Sequence, residues 1–161
     1  MNREKQKILL FFLIAFSVYC ALSVGVTWDE EFHIIQGKIT LDYLLSLGEI
    51  NQDIIYRENY SSIFWTLSYL IIKQFPLNYQ FELSHLINLS FSLGAIFGAG
   101  KFGKELFNKE VEKIIFLILF FYPIFFGHMA INSKDTIIAF CHIWITYLLF
   151  RYIKKQNIKE K

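Results

Sequence analysis

Residues 8–26 read ILLFFLIAFSVYCALSVGV, and the chain then continues Trp28-Asp29-Glu30-Glu31-Phe32-His33. The first stretch carries no charge. It is long enough to cross a bilayer as a helix, which takes roughly 17–25 apolar residues. The second stretch puts three carboxylates and an imidazole where that helix emerges. Charge so close to a membrane is costly unless it is solvated or used. Together the two stretches predict a membrane helix followed by a site at the membrane surface.

Composition points the same way. The 161 residues are 55% hydrophobic, with 18 Phe and 9 Tyr. Soluble domains average about 45–50% apolar, so the excess suits a lipid-facing surface. A net charge of +2 gives no bulk-charge case for nucleic acid. Cys20 and Cys141 lie inside apolar runs and read as packing residues, with neither a disulfide nor a zinc site implied. Arg3, Lys5 and Lys7 precede the first apolar run as in a signal peptide. The run is longer than the usual core of about 7–15 residues, and Ser23-Val24-Gly25 is a poor cleavage site. The expectation is a retained signal anchor.

Four segments qualify as spans: about 8–26, 83–100, 114–131 and 136–153. A fifth, Ser61–Phe75, is shorter and carries Lys73, with Pro76 just beyond as a stop signal. The excess of Lys and Arg on cytoplasmic loops decides its role. If it does not span, the cytoplasmic pieces hold Arg3, Lys5, Lys7, Lys101, Lys104, Lys109, Lys113, Arg151, Lys154, Lys155, Lys159 and Lys161. Only Lys38, Arg57, Lys73 and Lys134 of the 16 basic residues then lie outside. The predicted fold is therefore an all-α integral membrane protein. It has four transmembrane helices and a large first external loop, 27–82, containing interfacial helices. Both termini are cytoplasmic. Usage rich in Lys, Ile, Asn and Phe suits an AT-rich bacterial genome, hence a bacterial inner membrane. Ser90, Gly94 and Gly98 recur at four-residue spacing, as small residues do where helices pack closely in lipid. His85 and His142 fall in spans and are expected to pack or to hydrogen-bond between helices.

Three polar clusters carry candidate chemistry. In the first, Asp29 and Glu30 share a helix face with His33. A carboxylate beside an imidazole suits a general base, and it also suits a divalent cation. A structural alternative stands beside this. Thr27 and Glu30 match the capping box S/T-x-x-E, and acidic residues favour a helix start electrostatically. The second cluster is Gly127–Asp135 between two spans, where His128 or Lys134 could pair with a lipid phosphate and Asp135 could orient either. Asp135 could equally serve as the N-cap of the last helix. The third is Tyr56–Tyr60, where Arg57 could grip phosphate bidentately or simply neighbour Glu58 in a solvated loop. Asn59-Tyr60-Ser61 matches a glycosylation sequon, a weak signal.

The order of these elements resembles the N-terminal part of membrane glycosyltransferases of the GT-C class. That class includes protein O-mannosyltransferases and lipid A aminoarabinose transferases. The likeness is nearest to dolichyl-phosphate-mannose–protein mannosyltransferase-like bacterial members. Those read H-x-F-x-N-P-K-D before the fourth span. Here the stretch is His128-Met129-Ala130-Ile131-Asn132-Ser133-Lys134-Asp135, with Ser133 where proline is usual. The resemblance covers residues 8 to 153. It implies that Asp29 is the acid of the first loop, with Glu30 as its partner, and that Asp135 completes the site from the second external loop. It further implies that Glu58 is the acid before the interfacial helix. Asn59 stands where some relatives carry a phosphate-contacting Lys, a charge that Lys134 would supply instead. His33, Arg57, His128 and Asn132 join the substrate-binding set. The implied donor is a polyprenyl-phosphate-linked sugar, with membrane lipid around it, no certain cofactor and no resident metal site. Relatives are several hundred residues long, so the expectation is an N-terminal portion, whether a fragment, a split-gene half or a degenerate remnant, whose fold a further membrane chain could complete. The competing expectation is a non-catalytic small membrane subunit or carrier.

Overall fold

A computed structural model describes residues 3–49 and 63–159, and every described element is helical. The helices are α1 (Arg3–Ser23), α2 (Glu30–Leu45), α3 (Ile63–Ile72), α4 (Gln80–Leu106), α5 (Lys109–Phe121), α6 (Pro123–His128) and α7 (Asp135–Lys159), with a short 3-10 turn at Leu77–Tyr79 before α4. Among the described residues, three stretches are long and apolar enough to cross a membrane. These are Glu4–Ser23, Leu77–Leu106 and Asp135–Gln156, with mean hydropathies of 1.8, 1.3 and 1.5.

The predicted span 114–131 is not one continuous helix but two, α5 and α6. Pro123 explains the break. Its ring disfavours the helical region for the residue before it, and Tyr122 is extended at φ −69°, ψ 113°. Pro123 then opens α6 in the first turn, where its missing N–H costs no intrahelical bond. At the other end, Asn108 caps α5, its side-chain oxygen accepting the N–H groups of Glu110 and Val111 at 2.9 and 3.1 Å. The 13 residues of α5 reach about 20 Å, short of the ~30 Å hydrocarbon layer. The ten residues of α3 reach only about 15 Å, and they fall within the stretch read as a non-spanning helix.

The chain forms two compact units, Leu22–His85 and Met1–Ala21 with Leu86–Lys161. In the second, Ala21, Leu89, Ile96, Phe120 and Met129 form the buried core, with Phe116 and Phe126 packed against it. Gly94 and Gly98 of α4 seat Phe140 and Trp144 of α7, each so close that a Cβ would press on the opposing ring. The Trp144 Nε1–H also donates to the Gly94 carbonyl at 3.0 Å. The small-residue face is thus real at Gly94 and Gly98. Ser90, however, is exposed and bonds its own helix at the Ile87 carbonyl. His142, expected to bond between helices, is exposed on α7.

In the Leu22–His85 unit, α2 buries Glu30, His33, Gly37 and Leu41, a stripe at helical spacing. It packs on α3, which buries Trp65, Ser68 and Ile72. Gly37 makes the approach possible, because a Cβ there would collide with the Trp65 backbone carbonyl. Gly37→Ala gains up to about 1 kcal/mol of helix propensity, against about 1–3 kcal/mol for overpacking against a rigid backbone. The clash wins on this balance. Denaturation of the detergent-solubilised chain should show Gly37→Ala less stable than wild type, and a higher melting temperature would contradict this packing.

Candidate functional site

The α2 start is built around one buried carboxylate. Glu30 accepts the Thr27 backbone N–H on Oε2 at 2.6 Å, while its Oε1 lies 2.5 Å from Nε2 of His85. The two side chains are 4% and 1% exposed. The Thr27 contact is the glutamate half of the predicted capping box. His85 comes from the first turns of α4, fifty-five positions along the chain, and ties that helix to α2. Burial by itself pushes the Glu30 carboxyl up. The hydrogen bonds from His85 and Thr27, with the electrostatic pull of His85, outweigh it, and the net shift is below the ordinary 4.5.

Asp29 occupies the N-cap position of α2, yet its side chain makes no capping bond. Its Oδ2 lies 3.5 Å from Nε2 of His33, one helical turn on, and its side chain is 45% exposed while that of His33 is 7% exposed. His33 is fixed from the other side: its ring stacks on Trp65, centroids 4.2 Å apart and planes 18° apart. The adjacent carboxylates thus divide their roles. Glu30 is enclosed, with Thr27 and His85 against its two oxygens, whereas Asp29 is accessible and sits beside an imidazole stacked on Trp65. An accessible carboxylate so placed can accept a proton from a hydroxyl.

The second predicted cluster lies in the other unit. Asn132, read as substrate-binding, is a helix cap. Its Oδ1 accepts the N–H groups of Lys134 and Asp135 at 3.1 and 2.9 Å, and its Nδ2 donates to Asp135 Oδ2 at 2.9 Å. Asn132 therefore takes the capping role that Asp135 might have filled, and Asp135 becomes the exposed first residue of α7. The turn is locked from below. The Met129 carbonyl accepts from Asn88 Nδ2 at 3.2 Å and Ser92 Oγ at 2.8 Å, and Thr136 Oγ1 donates to Asn88 Oδ1 at 2.9 Å. Thr136 Oγ1 also meets the Asn132 carbonyl. Asn88, Ser92 and Thr136 are all buried. His128 is exposed at the end of α6, and Lys134 is half-buried.

Asp29, Glu30 and His33 are thus gathered in one unit, and His128, Asn132, Lys134 and Asp135 in the other. Arg57, Glu58 and Asn59 lie outside the described residues. Among the described residues, no three His, Cys, Asp or Glu side chains gather to hold a metal ion. Sequence reasoning missed His85 as the partner of Glu30, Trp65 as the support of His33, and the Asn88–Ser92–Thr136 network. Comparison with known proteins finds no matching family model, curated protein or solved structure.

Two predictions follow from this geometry. Because the Glu30 carboxyl ionises more readily in the folded chain, its contribution to stability is complete above pH 4.5 and is lost as pH falls through the lower folded value. Glu30→Gln should therefore flatten the acid limb of stability against pH, measured by chemical denaturation; an unchanged limb would contradict the shift. Asn88→Ala leaves the Met129 carbonyl with one donor fewer and removes one of the two acceptors facing Thr136 Oγ1, which should cost about 1–3 kcal/mol. Asparagine at position 88 being replaceable at no cost in stability would show that the network does not hold the turn.

Proposed function

We propose that the chain carries the acceptor-activating part of a GT-C-type glycosyltransferase, moving a sugar from a polyprenyl-phosphate donor at the outer face of a bacterial inner membrane. The observation that carries this reading is the accessible Asp29 carboxylate, held beside the fixed ring of His33 just after a helix long enough to span. The order of elements shared with that class, from the acidic loop to the His128–Asp135 turn, supports it.

In this reading Asp29 takes the proton of the acceptor hydroxyl as its oxygen bonds the anomeric carbon. The bond from that carbon to the phosphate oxygen breaks, and its electron pair stays on the departing lipid phosphate. Lys134, His128 and Arg57 neutralise that phosphate. Glu30 is a positioning residue, acting through the start of α2, and the resemblance assigns Asp135 an acidic role in its own turn. The broken pair α5–α6 crosses the membrane as an interrupted span, tolerated where neighbouring protein satisfies the freed backbone groups. In the same topology, α2 and α3 lie at the interface and both termini are cytoplasmic.

A second reading, a non-catalytic membrane subunit, is favoured by one observation: Glu30 and Asn132 both perform local structural tasks. Photocrosslinking of a polyprenyl-phosphate sugar to the full chain in liposomes, coupled to a transfer assay, separates the two. The transferase reading expects wild type to be labelled. Asp29→Asn should then retain the label and lose transfer by roughly 10²–10⁴-fold, the scale of a general base. Absence of labelling in wild type, or undiminished transfer by the variant, would favour the subunit.

A further inference from the structure

The C-terminal part of α7 carries a built recess that sugar transfer does not use. Leu148, Arg151, Tyr152 and Lys155 recur at three- and four-residue spacing and so share one helix face. With Lys154 and Glu105 of α4 they line an open hollow of about 410 Å³. Its lining joins apolar and aromatic surface to three cations. Lys154 is committed to Glu105, its Nζ 3.1 Å from Oε2. Among the described residues, no carboxylate pairs with Arg151 or Lys155. Arg151 is nonetheless oriented: its guanidinium sits over the Tyr147 ring at 5.7 Å, with Nη1 3.5 Å from the Tyr147 hydroxyl.

A basic residue near a helix end ordinarily complements the helix dipole, an effect confined to the last turn. That account does not fit Arg151, which lies two turns before the end of α7 at Lys159. Nor does it explain why the cations share their face with Leu148 and Tyr152. The hollow lies at the end of the candidate span Asp135–Gln156, where headgroups meet a helix that crosses a bilayer. Basic pockets between membrane helices are suited to anionic lipid headgroups.

We propose that this hollow binds an anionic phospholipid. Its phosphodiester lies between Arg151 and Lys155, and the start of its acyl chains lies against Leu148 and Tyr152. Arg151 supplies two parallel N–H donors to the phosphate oxygens. Lys155 adds a compact charge. The Lys154–Glu105 pair bridges α7 and α4 beside the recess. This inference is independent of the sugar-transfer reading.

The test uses the full chain in nanodiscs of neutral phosphatidylcholine, doped with a photoactivatable phosphatidylglycerol or a phosphatidylcholine probe with the same chains. The anionic probe should label α7 peptides at least about fivefold more than the neutral probe, with roughly fivefold lost for each cation removed in Arg151→Gln and Lys155→Gln. Lys109→Gln, an exposed cation on α5, should leave the labelling unchanged, and excess soluble glycerol phosphate should not displace the probe. Equal labelling by the two probes in wild type would overturn the proposal without relying on any variant. Labelling that survives the double substitution would also overturn it. Displacement by glycerol phosphate would assign the recess to a soluble phosphate instead.

Discussion

The contact between Glu30 and His85 organises the first polar loop. A buried carboxylate is costly unless its polar groups are met, and here one oxygen accepts the Thr27 N–H while the other lies 2.5 Å from His85 Nε2. The arrangement fixes the start of α2 by its first turn and fastens it to the start of α4. Everything that makes Asp29 chemically interesting follows from this. With the helix start set, Asp29 falls at the N-cap, His33 falls one turn on, and Trp65 of α3 backs the imidazole. Glu30 is a structural carboxylate and Asp29 an accessible one, although they are neighbours in sequence.

The Leu86–Lys161 part of the chain solves a comparable problem by different means. The Met129 carbonyl is buried at a turn between apolar helices, and a buried polar group left unmet is expensive. Asn88 and Ser92 of α4 supply donors to Met129, while Asn132 supplies an acceptor to the first N–H groups of α7. The glycines at 94 and 98 bring the helices close enough for aromatic side chains of α7 to cover the α4 backbone. Polar groups are therefore met at the turn, and van der Waals packing dominates along the helices, as expected where no hydrophobic driving force separates helix from lipid.

Much of this was legible in the sequence because it is local. The apolar runs announced α1, α4 and α7. The spacing of Thr27 and Glu30 announced the capping contact, and Gly94 and Gly98 announced a close helix approach. The limits are equally physical. Pro123 sits inside an apolar run, and hydropathy alone does not register the conformational restriction that proline places on Tyr122. Asn132 resembles a motif residue, but its oxygen is occupied by backbone N–H groups. The pairing of Glu30 with His85 joins positions far apart in the chain, so no helical period reveals it. Arg57 and Glu58 lie outside the described residues.

The claim on which the account stands is that Glu30 and His85 stabilise each other directly. A double-mutant cycle with Glu30→Gln, His85→Gln and the combined variant, read by denaturation of the detergent-solubilised chain, isolates that coupling from the cost of each change. A coupling energy of about 0.5–3 kcal/mol is expected, the scale of contacting residues. Strictly additive single costs would show that the two side chains do not act together, and would remove the reason for Asp29 to be held where it is.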